Sequence, residues 1–247
     1  MGRQTITYDL SGRLGNHLQL WACARTLSIR NGWDFEYQPI AHETDFAIAE
    51  TYPERRSRWN DLGKVFSGRR HRLRGHEWHL EDSQVGELLP NVSRPNAQYV
   101  LDWSAIYTRV DEFRPQLIRE LLGQHSSSIP RDVTPGRGGV HIRRGDGAYL
   151  MPMDYYARAI KEAGLDEVHL FSDGPLDEIV DELGTLTDAK LVAHHGSPVE
   201  DMLALASYST IIMSFSWFSY WAAFLSHDAT VYAPRLFSYY PQWIPFD

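Results

Sequence analysis

Runs of apolar, β-branched residues alternate with stretches of helical period through the second half of the chain. Strand-like runs fall at Gly139–Arg143, Glu167–Ser172, Lys190–His194, Thr210–Ser214 and Ala229–Tyr232. Between them Met153–Ala163, Pro175–Leu183, Pro198–Tyr208 and Trp217–Leu225 read as helices, with start signals such as Pro175 after Ser172-Asp173-Gly174 and Pro198 after Ser197. This alternation predicts βαβ units and a parallel sheet. The first half opens alike, with a strand Gln4–Asp9, a glycine-containing turn at 11–16, a helix Asn16–Arg30 and a strand Asp34–Gln38. Residues 40–96 are polar and weakly periodic, and a strand Gln98–Asp102 and a helix Val110–Leu122 follow. The Ser-, Pro- and Gly-rich stretch Gly123–Gly138 reads as a linker, so two α/β domains are expected, 1–130 and 131–247, with a cleft between them. In open parallel sheets ligands bind outside the carboxyl ends of the strands. That rule selects five loops: Ser11–His17, His141–Asp146, Ser172–Gly174, His194–Pro198 and Ser214–Ser219.

Composition narrows the field. At 247 residues, 43% hydrophobic and 23% charged, the chain is long enough for a sizeable core and is neither disordered nor fibrous. A formal charge of -8 argues against a nucleic-acid partner. The single cysteine, Cys23, rules out a disulfide scaffold and fits a reducing compartment. Residues 1–10 carry no secretory signal, and the most apolar stretch, 210–225, is interrupted by Ser214, Ser216 and Ser219 and is short for a bilayer span. A cytoplasmic protein without a transmembrane segment is expected, which makes the Asn91-Val92-Ser93 sequon a chance match.

His141-Ile142-Arg143-Arg144-Gly145-Asp146 is the strongest chemical signal. Two guanidinium groups leave one strand end together, and arginine forks match phosphate oxygens without losing their charge. A surface salt bridge between Arg144 and Asp146 is the plainer alternative. Ser11–Asn16, with Gly12, Arg13 and Gly15, joins a strand to a helix, where backbone N–H groups and the helix dipole favour an anion; a plain tight turn would look the same. Ser214–Ser219 precedes another helix and offers hydroxyls and N–H groups, although its aromatics would equally serve a core. Asp173 could accept paired N–H donors from a base such as guanine, or cap a helix. His194-His195 lacks partners at metal-ligand spacing. The run Arg55–Arg74 is basic, as a solvated face or an anionic-acceptor surface would be. No two aspartates stand two apart, so the D-x-D loop with which many sugar transferases hold a divalent metal is absent, implying a metal-free strategy for any diphosphate sugar.

GRLGNH (Gly12–His17), HIRRGD (His141–Asp146), DYY–AI (Asp154–Ile160), FSD (Phe171–Asp173) and S-x-F-S-x-W-x-A-x-L (Ser216–Leu225) resemble, in order, the motifs of α-1,2-fucosyltransferases. The stretch Tyr99–Arg119 is similar to that family's middle segment, and the likeness covers most of the chain outside about 40–96. The resemblance implies a GT-B fold of two Rossmann-like domains, an inverting, metal-independent reaction, and GDP-fucose as donor. By motif position it implies that Arg143 holds the β-phosphate, that His141 and Asp173 contact guanine, and that Ser219 with Gly12 and Gly15 forms a pyrophosphate cradle. Arg13, Asn16, Arg144, Ser216 and Phe218 complete the expected donor loops. Three departures, His17 for the usual Gln, Gln19 for an aromatic and Trp217 for Ser, put acceptor choice and donor sugar in question.

The expected reaction is attack of an acceptor hydroxyl on C1 of a GDP-bound sugar, the acceptor being a saccharide or small glycoside. Asp146 is the first candidate for the base and His17 the second. The same architecture acting with another GDP-sugar on a natural-product acceptor, or binding nucleotide sugars or glycans without turnover, remains an alternative from sequence alone.

Overall fold

The structure, a computed structural model, describes residues 4–52, 70–73 (backbone only), 96–103, 110–124, 129–145, 149–226, 228–237 and 240–247. The chain divides into two compact units, Met1–Ser126 and Ser127–Asp247.

In the first unit the order is β1 (Thr5–Tyr8), α1 (Leu14–Asn31), β2 (Asp34–Phe35), α2 (Ile48–Thr51), β3 (Arg70–Leu73), β4 (Gln98–Leu101) and α3 (Arg114–Leu122). The four strands lie in the order β2-β1-β4-β3, all parallel. Ile6, Thr7 and Tyr8 are all fully buried, as befits a strand covered on both faces. β2 is shorter than the apolar pattern suggests. The Glu36 N–H still donates to the Ile6 carbonyl, but at Gln38 the Tyr8 hydroxyl takes over, donating to the Gln38 carbonyl at 2.6 Å and accepting from its N–H at 3.2 Å. α1 ends at Gly32, whose φ of 63° lets the chain turn out of the helix. On α1 the Arg25 guanidinium clasps the Glu120 carboxylate of α3 at 2.8 and 2.9 Å, and the Tyr52 hydroxyl after α2 donates to the same group.

The second unit runs β5 (Arg137–Ile142), α4 (Met153–Glu162), β6 (Glu167–Ser172), α5 (Leu176–Gly184), β7 (Lys190–Ala193), α6 (Pro198–Ser207), β8 (Thr210–Ile212), α7 (Trp217–Leu225), β9 (Thr230–Pro234) and β10 (Ile244–Phe246). Its six parallel strands lie in the order β10-β9-β8-β5-β6-β7. The chain builds outward from β5 to β7, then returns to the other edge of β5 and builds outward to β10. This is the Rossmann order, and its reversal lies between β5 and β8. Val140, Ile142, Tyr155, Tyr156, Leu170 and Ile212 are central to the core.

β5 starts two residues before the expected Gly139 and stops one short of Arg143. Gly138, the last residue of the expected linker, and Gly139 are interior positions of the strand. A Cβ on Gly138 would come within 2.7 Å of Leu165, and one on Gly139 within 2.7 Å of Leu205 and Tyr208. Here the absent side chains allow close packing rather than flexibility. Earlier still, Asp132 already pairs with Tyr208. Downstream, Ser197 and Glu200 form a reciprocal capping box with Pro198 in the first turn of α6.

Candidate active site

The reversal of strand order brings His141–Gly145 and Ser214–Ser219 together at the carboxyl ends of β5 and β8. His141, the fifth residue of β5, is 4% exposed, and its Nδ1 lies 2.6 Å from the Ser214 Oγ. Phe218 covers the ring with a centroid separation of 4.9 Å. Burial, reinforced by the Arg143 charge and opposed by the Asp173 carboxylate, pulls its pKa down to about 4, so the imidazole is neutral at physiological pH.

Arg143 lies just beyond the strand, and its Nη1 donates to the Ser216 Oγ at 3.2 Å. Ser216 is the N-cap of α7, its Oγ also accepting the Phe218 N–H at 3.2 Å. A guanidinium is thereby held at the positive end of a helix dipole. The guanidinium and the helix N-terminus are each complementary to an anion, and the arrangement suits a phosphate. Beneath it lies the Tyr156 hydroxyl of α4, buried near the Arg143 backbone and the Ser214 hydroxyl but in bonding geometry with neither.

Arg144 diverges from Arg143. Its Nη2 reaches Glu182 of α5 at 2.9 Å, so the described partner of this arginine is a helix carboxylate on the β6 side. Its backbone N–H and that of Gly145 donate to Asp173 Oδ1 at 2.8 and 3.0 Å. Asp173 thus braces the loop after β5 and caps no helix; α5 has Pro175 at its N-cap with no side-chain bond. Burial disfavours the Asp173 charge, yet the two N–H bonds and the nearby His141 and Arg143 outweigh it and hold the carboxyl below the ordinary aspartate value. Asp146, the first candidate for the base, lies outside the described residues.

Ser219 differs from the expected cradle role at the side-chain level. It is fully buried, and its hydroxyl faces the Ser214 and Ser216 carbonyls at 3.1 Å each, bracing the turn into α7. The aromatics of this segment divide: Trp217, Tyr220 and Trp221 are core, whereas Phe215 and Phe218 are only partly covered.

In the first unit the turn after β1 delivers Gly12, Arg13, Gly15, Asn16 and His17. Gly12 has φ of 80°, and a Cβ there would fall 1.9 Å from the Asn16 Nδ2, so this position demands glycine. Arg13 is the exposed N-cap residue of α1, and Gly15 is buried in its first turn. The helix begins at Leu14, two residues before the sequence pattern indicates. His17 Nδ1 accepts the Ala41 N–H at 3.0 Å. A backbone N–H can only donate, so Nδ1 carries the lone pair and Nε2 the proton. Burial lowers the pKa of this ring, opposed by the nearby Gly12 backbone. To act as a base through Nδ1, His17 would have to break its tie to Ala41.

Among the described residues no three His, Cys, Asp or Glu side chains are placed to hold a metal ion. His194 Nδ1 instead pairs with Asp201 of α6 at 3.0 Å. No helix among the described residues is long and apolar enough to cross a membrane. Of the basic run Arg55–Arg74, only the backbone of β3 is described.

The sequence profile of Glycosyl transferase family 11 matches residues 96–239. The chain belongs to this family. It is a glycosyltransferase, and the matched region contains the whole second-unit site. Among similar proteins are galactoside alpha-(1,2)-fucosyltransferase 1 of Saimiri sciureus, 24% identical over 94% of this chain and 67% of that protein, and that of Bos taurus, 23% identical over 92% and 68%. A crystal structure of POFUT1 in complex with GDP aligns with a TM-score of 0.51 at 10% identity, covering 94% of this chain and 98% of that one. The complex of POFUT1 with GDP-fucose aligns at 0.50 and 9% identity, covering 94% and 97%. At these identities the likeness is one of fold, and this family 11 glycosyltransferase has the α/β GT-B architecture of two Rossmann-like units.

Proposed function

We propose that this family 11 glycosyltransferase moves L-fucose from GDP-fucose to a hydroxyl of a galactose-type saccharide, forming an α-1,2 linkage with inversion at C1 and without a metal ion. The observation that carries the reading is the Arg143 guanidinium fixed on the N-cap of α7 at the reversal of strand order. Membership of family 11 and the likeness to mammalian galactoside alpha-(1,2)-fucosyltransferases support the choice of sugar and linkage in this reading. The acceptor oxygen attacks C1 as the bond from C1 to the diphosphate oxygen breaks. Negative charge grows on the leaving oxygen, and Arg143 with the α7 N–H groups is the preorganised partner for it. The hydroxyl proton passes to a base, for which Asp146 is our candidate, the lone pair on His17 Nδ1 being engaged by the Ala41 N–H.

The test is incubation with GDP-fucose and a β-galactoside in excess EDTA, with the product linkage and anomeric configuration read by NMR. Expected are an α-1,2-linked fucoside and undiminished activity. A strict need for added Mn²⁺ or Mg²⁺ would remove the metal-free mechanism. GDP binding without any sugar release, with or without acceptor, would make the protein a binder rather than an enzyme.

A further inference from the structure

Five large hydrophobic residues are prominently exposed among the described residues, and two of them, Tyr149 at 62% and Leu150 at 46%, are consecutive in the connection that follows Arg143 and Arg144. Tyr149 is not a loose side chain. Its ring meets Phe215 edge-on with centroids 5.5 Å apart, and Phe215 in turn packs on Phe237 at 4.7 Å. Phe237 is 2% exposed and lies against Trp217 at 4.8 Å, so the exposed ring is the outer end of an aromatic chain rooted in the core. Phe215 immediately precedes Ser216, the hydroxyl that holds Arg143. A T-shaped contact covers at most one face of Tyr149, and the ring that makes it, Phe215, adjoins Ser216 on the β8 side of the proposed phosphate site. Asp173, the carboxylate suited to a nucleobase, stands on the opposite side, at the end of β6.

A pyranose presents one face of C–H groups, weakly positive, which an electron-rich aromatic face attracts while its hydroxyls stay at the rim. A tyrosine adds a phenolic O–H at that rim. We propose that Tyr149, propped by Phe215, is a stacking platform for a pyranose ring, a specificity-determining position for the sugar end of the reaction rather than for its nucleotide. This inference rests on the proposed glycosyl transfer at the Arg143 site. The ring stacked could belong to the transferred sugar or to the acceptor, and the shared chemistry is the apolar face of a hexose.

The test compares wild type with Tyr149→Ala and Tyr149→Phe in three titrations, against GDP, against GDP-fucose and against methyl β-D-galactoside, together with transfer kinetics. Since an exposed side chain is removed, melting temperature should be unchanged. Tyr149→Ala should bind GDP like wild type and lose about tenfold in either GDP-fucose affinity or galactoside affinity and KM, with Tyr149→Phe retaining most of it. A loss confined to GDP-fucose assigns the platform to the donor sugar, and one confined to the galactoside assigns it to the acceptor. Unchanged binding of both sugars overturns the inference, as does an equal loss for GDP, which would make Tyr149 a base-stacking residue. Either result leaves the proposed function standing so long as wild type transfers fucose. If wild type neither binds GDP nor releases fucose, the functional reading itself falls, and this inference with it.

Discussion

The buried imidazole of His141 should make the second unit acid-sensitive well above the range where carboxylates titrate. In the unfolded chain the ring has the ordinary histidine pKa of about 6.5, whereas in the fold it is drawn down to about 4, chiefly by burial. A depressed folded-state pKa means that the unfolded chain binds the proton first. Stability from this group is therefore complete above the unfolded value, declines as pH falls from about 6.5 to 4, and is lost below. Two and a half units correspond to about 3 kcal/mol over the whole interval, and about 2 kcal/mol of it lies between pH 7 and pH 5. That window sits above the carboxylates whose pKa values the fold lowers, such as Glu167, drawn down to about 2 by the hydrogen bonds from Lys190 and His169. Urea unfolding should be measured across it for wild type and for His141→Gln, which cannot titrate but keeps a polar group near Ser214. The variant is expected to be less stable at neutral pH, yet to lose about 2 kcal/mol less than wild type on going from pH 7 to pH 5. His17, lowered in the same direction by burial, contributes equally to both proteins and cancels in the difference. If the two units unfold separately, the difference belongs to the transition of the unit carrying His141. Parallel pH dependences for wild type and variant would refute the reasoning, since a ring that cost nothing to protonate could not be desolvated at the end of β5.

Two further outcomes follow from the loop contacts around the same strand end. Arg143→Lys keeps the charge but loses the planar fork, so transfer should fall by roughly two orders of magnitude, with Arg143→Ala lower still and little change in melting temperature; Arg144→Ala, which breaks an exposed pair with Glu182, should stay within a few fold, and the reverse order in a steady-state assay would reassign the two roles. Asp173→Asn retains a carbonyl oxygen for the Arg144 and Gly145 N–H groups but not the charge, so if guanine is read by the carboxylate, calorimetry should show GDP affinity reduced by about 1.5–3 kcal/mol with the fold intact; affinity equal to wild type would leave Asp173 as a loop brace alone.

The class of fold and the pieces of the site are legible in the amino-acid sequence. Period-2 and period-3.6 segments are local properties, and so the βαβ alternation, the helix start at Ser197-Pro198 and the turn at Gly12 could be read without knowing what packs on them. The aromatic segment after Ser214 allowed a core reading for Trp217, Tyr220 and Trp221, and all three are buried. Which loops are neighbours is settled in three dimensions. Strand order is a long-range property: β5 lies between β6, its successor in the chain, and β8, two strands further on, and that placement brings His141 to Ser214 and Arg143 to Ser216 across 73 residues. The direction of individual side chains was equally inaccessible. Ser219 turns to backbone carbonyls because its place on the first turn of α7 faces them, and Gly138 and Gly139 stand in a strand because neighbouring leucines and Tyr208 occupy the space of their missing side chains. Composition records that a residue is small or polar, but only the three-dimensional neighbours settle whether that serves a turn, a close approach or a bond to the backbone.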